Sequence, residues 1–184
     1  MNRQIAILAN GCFWCTEAVF SSLKGVYKVT PGFTGGHVKN PAYREVVMGG
    51  TGHAEAIRIE FNEDEILFSE LLYIFFTTHD PTTLNRQGYD VGEQYRSAIF
   101  YQSDLQKKIA NEVIEELNRP DYFDGQIVTQ VQPAAHFYEA EQEHHDFYEN
   151  NPNFRYCELI IDPKIKKLKD NFPDKLKDKM QPKL

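Results

Sequence analysis

Two cysteines three residues apart carry the strongest chemical signal in this chain: Cys12 and Cys15, in the run Asn10-Gly11-Cys12-Phe13-Trp14-Cys15. Residues 3–9 have the β-branched and apolar content of a buried strand, Asn10-Gly11 ends it, and apolar residues at helical spacing (Phe13, Ala18, Val19, Leu23) follow. Cys12 therefore opens a helix, where free backbone N–H groups and the positive end of the helix dipole favour a thiolate. Residues three apart share a helix face, so the Cys15 sulfur can approach that of Cys12 and close a disulfide during turnover. Each cysteine also has a plain reading as a small buried hydrophobe. That reading competes seriously for Cys15, and it is favoured for Cys157, which sits among Phe154, Tyr156, Leu159 and Ile160 but stays open as a resolving thiol.

Three cysteines make a poor disulfide framework, and in a reducing compartment a C-x-x-C pair points to redox catalysis or metal binding. A structural zinc site needs about four ligands, often in two pairs. No second C-x-x-C exists, so zinc would need His53, His79, His144 or His145 from elsewhere, and no metal is expected. The tandem His144-His145 with Glu141 one turn away reads as a solvated helix face.

The elements that must position these thiols follow from patterning. After the strand over 3–9 and the helix over 12–23 come a strand over 26–33 and a glycine-rich loop over 35–52. The run AEAIRIEF reads as an alternating strand over 54–61, with Glu55, Arg58 and Glu60 between apolar positions. A helix over 64–78 and a strand over 97–101 complete the order strand, helix, strand, strand, helix, strand, and a helix over 104–118 and a short strand over 127–131 follow. That order predicts an α+β fold of the ferredoxin-like split βαβ kind, with two helices on one face of an antiparallel or mixed sheet. A further helix is expected over 137–148, and a lysine-rich C-terminal extension over 163–184 packed on the surface. The long loops over 35–52 and 78–94 are where function is sought, since loops of that length in a compact domain are usually functional or disordered.

Bulk properties narrow the class. A chain of 184 residues with 41% hydrophobic and 26% charged residues fits one soluble domain, residues 1–184, with no apolar run long enough to cross a bilayer. Its N-terminal residues lack a basic region followed by an apolar stretch of signal-peptide length, so a cytoplasmic setting is expected. The formal charge is −7, but residues 163–184 hold eight lysines and three aspartates, +5, which leaves −12 on the rest. An acidic body argues against nucleic acid as the main partner, and the tail reads as a solvated helix broken by Pro173.

Further motifs stand in order behind the cysteines: Gly35-Gly36, Asn40-Pro41, Tyr43-Arg44, Gly52-His53-Ala54-Glu55, and the stretch HDPTTLNRQGYDVGEQYRSAI. Together with Gly11-Cys12-Phe13-Trp14 this set, running from about Ile5 to Lys167, resembles the A-type peptide methionine sulfoxide reductases. The resemblance implies that Cys12 is the nucleophile, Glu55 the acid, Tyr43 and Tyr95 hydrogen-bond donors to the sulfoxide oxygen, and Asp90 a support of the polar site. It implies that Phe13 and Trp14 surround the substrate methyl group, and that the S epimer is the one reduced. His37, Tyr89, Glu93 and Glu143-His144-His145 depart from the usual family residues. Cys15 stands where many relatives have Gly, and the cysteine-bearing C-terminal extension of other relatives is missing, so the resemblance is to the subgroup whose resolving thiol lies within GCFWC.

The chemistry implied is attack of the Cys12 thiolate on the sulfoxide sulfur, with protonation of its oxygen by a carboxyl of raised pKa. Two phenols would stabilise the charge as the S–O bond breaks. Cys12 becomes a sulfenic acid, Cys15 displaces water from it to form a disulfide, and thioredoxin reduces that disulfide. Free and protein-bound methionine sulfoxide are expected substrates, with no cofactor and a monomeric enzyme. Arg44, Arg86 and Arg96 read as ion-pair partners or loop anchors. Two rivals share the thiols: a general thiol-disulfide oxidoreductase, which has no need of Glu55, and a non-catalytic metal or redox-sensing module.

Overall fold

The computed structural model describes residues 1–180, so the last four residues of the lysine-rich segment lie outside the described residues. Its elements are β1 Arg3–Asn10, α1 Phe13–Ser21, β2 Val26–Thr34, α2 Tyr43–Val47, β3 Ala54–Asn62, α3 Phe68–Thr77, β4 Arg86–Gln87, β5 Asp90–Val91, β6 Ser97–Tyr101, α4 Asp104–Leu117, β7 Gln130–Pro133, β8 Tyr138–Glu139, α5 Phe147–Asn150 and α6 Asp162–Asn171. The main sheet runs β7-β6-β1-β3-β2-β8. Its four central strands pair antiparallel in the ferredoxin-like order, while β7 joins β6 in parallel and makes the sheet mixed.

Alternation along each strand separates two faces. Ala6 and Leu8 of β1, Ile57, Ile59 and Phe61 of β3, and Ile99 of β6 face a large core closed by Val19 and Phe20 of α1, Leu72 and Phe75 of α3, and Ala110 and Val113 of α4. The other face carries Ile7, Ala9, Ala54, Ala56, Ala98 and Phe100, mostly small, with Phe137 packed on it. Glu55 lies in phase with Ile57, Ile59 and Phe61, on the crowded helix face, and not with Arg58 and Glu60 as the residues between apolar positions were expected to lie.

Several boundaries differ from expectation, each for a local reason. The loop over 35–52 contains α2, whose Glu45 carboxylate accepts the Ala42 N–H at 2.8 Å and caps the helix start. The helix expected from 64 begins at Phe68, because Asn62 turns the chain by accepting the Glu65 and Ile66 N–H groups on its carbonyl, both at 3.0 Å. The expected helix over 137–148 is absent. That stretch is β8, a 3-10 turn over Gln142–His144 and the short α5, because Tyr138 and Glu139 pair with Phe33 and Gly32 at the sheet edge.

The lysine-rich segment is also less superficial than expected. In α6, Ile165 and Leu168 enter the main core, and Leu176 beyond it is fully buried. Burying each such side chain contributes about 2 kcal/mol. Backbone bonds from Lys24 N–H to the Lys175 carbonyl (2.8 Å) and from Lys177 N–H to the Ser22 carbonyl (2.9 Å) stitch the segment to the end of α1. No helix among the described residues is long and apolar enough to cross a membrane.

Candidate active site

The site grows from the break between β1 and α1. Gly11 takes φ +107°, and a Cβ there would sit 2.8 Å from Gln87, so glycine alone fits the turn. Thr16 donates to Asn10 Oδ1 at 2.6 Å, locking the first helical turn onto the strand end. Cys12 is the N-cap residue of α1, its sulfur among the helix start, Cys15 and Glu55, and only 8% of it is exposed.

Glu55 reaches the same point from β3. Its Oε1 accepts the Phe13 backbone N–H at 3.2 Å, one of the donors that a helix start leaves free. Oε2 is buried without a hydrogen-bond partner among the described residues, and the residue is 1% exposed. Burial above all, then the nearby Asp90 and Cys15, pushes the carboxyl up to about 8, so at neutral pH Glu55 holds a proton. The solvent-facing alternative for this residue is excluded.

Cys12 does not match the simple helix-dipole expectation. Burial, with Cys15 and Glu55 beside it, raises the thiol well above the ordinary cysteine range, and only the Trp14 backbone N–H acts the other way. Cys15, one turn on, lies within hydrogen-bonding reach of Cys12, and all three cysteines are free.

Two phenols frame the carboxyl. Tyr43 opens α2, its backbone N–H held by Glu141 at 2.9 Å and its ring stacked on Phe13 with centroids 6.0 Å apart. Tyr95 ends the 3-10 turn Glu93–Tyr95. That turn is drawn onto the glycine loop by Glu93, whose Oε1 accepts the Gly50 and Gly52 N–H groups (3.3 and 3.1 Å), and by Arg96, which donates to the Gly52 carbonyl at 3.0 Å. Arg96 is thus a loop anchor, and the departure Glu93 is a clasp between the two functional loops. Burial first, then Glu55, raises both phenols, so they keep their protons.

Sequence reasoning missed most of the supporting wall. Tyr156 donates to Asp90 Oδ2 at 2.8 Å while its oxygen lies 3.6 Å from Cys15 Sγ, linking Asp90 to the second thiol. Trp14 donates from Nε1 to His144 Nδ1 at 3.1 Å and stacks on Phe147 at 3.8 Å and 6°. His144 is buried and packs 4.2 Å from the Tyr43 ring, which corrects its reading as a solvated helix residue. The only sequence signal for it was the Glu141–His144 spacing. Lys164 on α6 donates to the Thr78 carbonyl at 2.9 Å and lies close enough to Cys15 and Asp90 to feel their charge.

His53 and His79 are occupied structurally. His53 accepts the Gly36 N–H at 3.0 Å and bonds the Val38 carbonyl at 2.6 Å, fixing the glycine loop. His79 bridges the Phe75 carbonyl and Ser97 Oγ (2.8 Å), and burial lowers it to about 3. Among the described residues no group of three His, Cys, Asp or Glu side chains is placed to hold a metal ion. Cys157 is fully buried in the main core.

The arrangement therefore gathers a paired thiol at a helix start, a protonated carboxyl, two neutral phenols and an aromatic wall. This equipment can attack, protonate and deoxygenate a soft polar centre bearing a small apolar group. The family model described as peptide methionine sulfoxide reductase matches residues 4–176. The peptide methionine sulfoxide reductase MsrA of Sulfolobus acidocaldarius is 55% identical over 172 residues, covering 94% of this chain and 97% of its own. Among solved structures, reduced Mxr1 from Saccharomyces cerevisiae superposes with a TM-score of 0.76 at 32% identity, over 83% of this chain and 88% of that one. Mxr1 in complex with Trx2 shares the fold with a TM-score of 0.54 at 24% identity, over 79% and 85% of the two chains.

Proposed function

The chain belongs to the peptide methionine sulfoxide reductase family, and from that membership we propose the route by which it returns methionine S-sulfoxide to methionine. The observation that carries the route is Glu55: a fully buried carboxyl, one oxygen bonded to the helix start and the other without a partner among the described residues, beside the Cys12 thiol. A sulfoxide oxygen is a poor leaving group until protonated, and a neutral carboxylic acid in a dry pocket is suited to protonate it.

In the first half-reaction the Cys12 thiolate forms a bond to the sulfoxide sulfur as Glu55 gives its proton to the oxygen. The polarised sulfur of the bound substrate supplies the positive charge that favours this thiolate, offsetting the burial that raises the Cys12 thiol. Tyr43 and Tyr95, kept neutral by burial, donate to the same oxygen. The S–O bond breaks and leaves Cys12 joined to a positively charged methionine sulfur. The released hydroxide then attacks the Cys12 sulfur, and the S–S bond breaks with its electron pair going to the methionine sulfur. Methionine leaves, with Cys12 as sulfenic acid and Glu55 ionised. Phe13 and Trp14 hold the substrate methyl group in contact with the aromatic wall. The A-type resemblance assigns the S epimer, as free methionine sulfoxide or within proteins.

In the second half-reaction Cys15 attacks the sulfenic sulfur, water leaves, and a Cys12–Cys15 disulfide forms. Support for Cys15 over Cys157 is its place one turn from Cys12, within hydrogen-bonding reach, against the full burial of Cys157 in the core. Asp90 and Tyr156 hold that second thiol in place. A dithiol of the thioredoxin class then reduces the disulfide; a fold-sharing protein, Mxr1, has been crystallised in complex with Trx2. We read residues 1–184 as one monomeric catalytic domain working in the cytoplasm, a setting that suits three free thiols.

The test is a single turnover of the Cys15→Ser variant without reductant. One methionine per enzyme, with a sulfenic acid on Cys12 located by a trapping reagent and mass spectrometry, is the expected result. Full multiple turnover by this variant with thioredoxin, or a Cys12–Cys157 disulfide in the oxidised native chain, would overturn the role given to Cys15.

A further inference from the structure

Glu17 is a buried carboxyl that the reaction itself does not use. It lies on α1 one turn beyond Trp14, is 3% exposed, and has one oxygen, Oε2, without a partner among the described residues. The backbone N–H groups of Asp146 and Phe147 point at the carboxyl, at the kink where Asp146 adopts φ +50° and the chain enters α5. The same few residues build the wall of the substrate pocket: Phe147 stacks on Trp14, and His144 accepts its indole N–H. Glu141, at the other end of this loop, holds the Tyr43 backbone.

From this geometry we propose that Glu17 is a positioning residue for the reductase reaction, fastening the 144–147 loop against Trp14 while it is protonated and releasing that loop when it ionises. The proposal rests on the reading of the site as a methionine sulfoxide pocket. Glu17 touches neither substrate nor reacting sulfur and acts only through the Trp14 wall.

Linkage fixes the direction. With the loop closed the carboxyl is dry and its second oxygen is left unpaired, so ionisation there is costly. With the loop lifted, water from the adjoining cavity of about 370 Å³, between α1 and the lysine-rich segment, reaches it. The proton therefore binds more tightly to the closed form, and raising the pH favours the open one. The charged and titratable groups that face Glu17 and this cavity from the neighbouring elements are Tyr27 and Lys28 of β2, His145, Asp146, Tyr148 and Glu149 at α5, and Lys177 and Lys179 of the lysine-rich segment. Burial is the largest influence on Glu17, followed by the two backbone donors and Asp146, and its titration is centred at about 7. Against an ordinary value of 4.5, the ratio of closed to open loop falls about tenfold between pH 6 and pH 8.5.

Trp14 is the only tryptophan in the chain, so its fluorescence reports the loop directly. The experiment is an emission titration of the reduced, substrate-free protein from pH 6 to 8.5, for the native chain and for Glu17→Gln. It is paired with KM for methionine sulfoxide at pH 8.5. Glutamine keeps an acceptor for the two N–H groups and removes the titration. The native chain is expected to show an emission change centred near 7 that the variant lacks, any change at about 8 from Glu55 being common to both, and the native KM at pH 8.5 should be severalfold above that of the variant. Burial lowers His144, so its own protonation falls at more acid pH and does not mimic this transition. A flat native titration, or the same transition in Glu17→Gln, would overturn the proposal. Because the emission needs no turnover, the proposal can fail while the reductase reading stands. Absence of turnover would sink that reading whatever Trp14 reports.

Discussion

Replacing Glu55 by glutamine should cripple the enzyme and stabilise it at once, and the size of the second effect can be worked from the fold. In the folded protein the carboxyl keeps its proton to about pH 8, against an ordinary 4.5. Between those values unfolding releases a proton, so native stability falls as pH rises through that window and levels off above about 8. At about 1.4 kcal/mol for each tenfold change, the ionised carboxylate costs the native chain about 5 kcal/mol at pH 9. Glutamine has no such penalty and can still accept the Phe13 N–H. Denaturant unfolding of the two proteins should give nearly equal stability at pH 5, a gap favouring Glu55→Gln that opens with pH, and about 5 kcal/mol at pH 9. Glu17, raised likewise to about 7, is common to both proteins and cancels. Below about pH 8, where the native Glu55 holds its proton, the variant should lose about 100-fold or more in kcat/KM, the usual contribution of a general acid. A stability gap that stays flat from pH 5 to 9 would refute the reasoning, since the carboxylate would then be comfortable in its pocket.

The native chain should lose kcat/KM as pH rises through about 8, where Glu55 ionises, and Glu55→Gln should show no such limb in its residual rate; stopped assays across pH 6–10 check this. Tyr156→Phe removes the hydroxyl that joins Asp90 to Cys15, and about 1–2 kcal/mol, near tenfold, should disappear from the thioredoxin-dependent cycle. Single-turnover methionine formation, which does not involve Cys15, should change less. Leu168→Ala on α6 should cost about 2–5 kcal/mol in denaturant unfolding, as expected of a core leucine and not of a surface tail.

Much of this fold was legible because strands and helices carry their periods openly. The strand over 97–101 coincides with β6, and the order strand, helix, strand, strand, helix, strand matches the four central strands of the sheet and their helices. The failures share a cause, which is tertiary pairing overriding local pattern. Tyr138 and Glu139 read as helix but bond to the free edge of β2. Ile165, Leu168 and Leu176 are too few among the lysines to advertise a buried face, yet each finds a place in the core. At the site, the phase of Glu55 with Ile57, Ile59 and Phe61 was present in the sequence, but the mixed pattern of AEAIRIEF grouped it with Arg58 and Glu60 between the apolar positions. Tyr156, His144 and Glu17 were not legible. Their roles depend on contacts across 141, 130 and about 130 residues, which the Glu141–His144 spacing does not reveal and no local pattern marks for Tyr156 or Glu17.

The most direct test of the account is steady-state reduction of each methionine sulfoxide epimer by the native chain and by Cys12→Ser, with dithiothreitol as reductant. The account predicts turnover of the S epimer alone and none from the Cys12 variant. Failure of folded, fully reduced native protein to turn over either epimer, or undiminished turnover by Cys12→Ser, would contradict it.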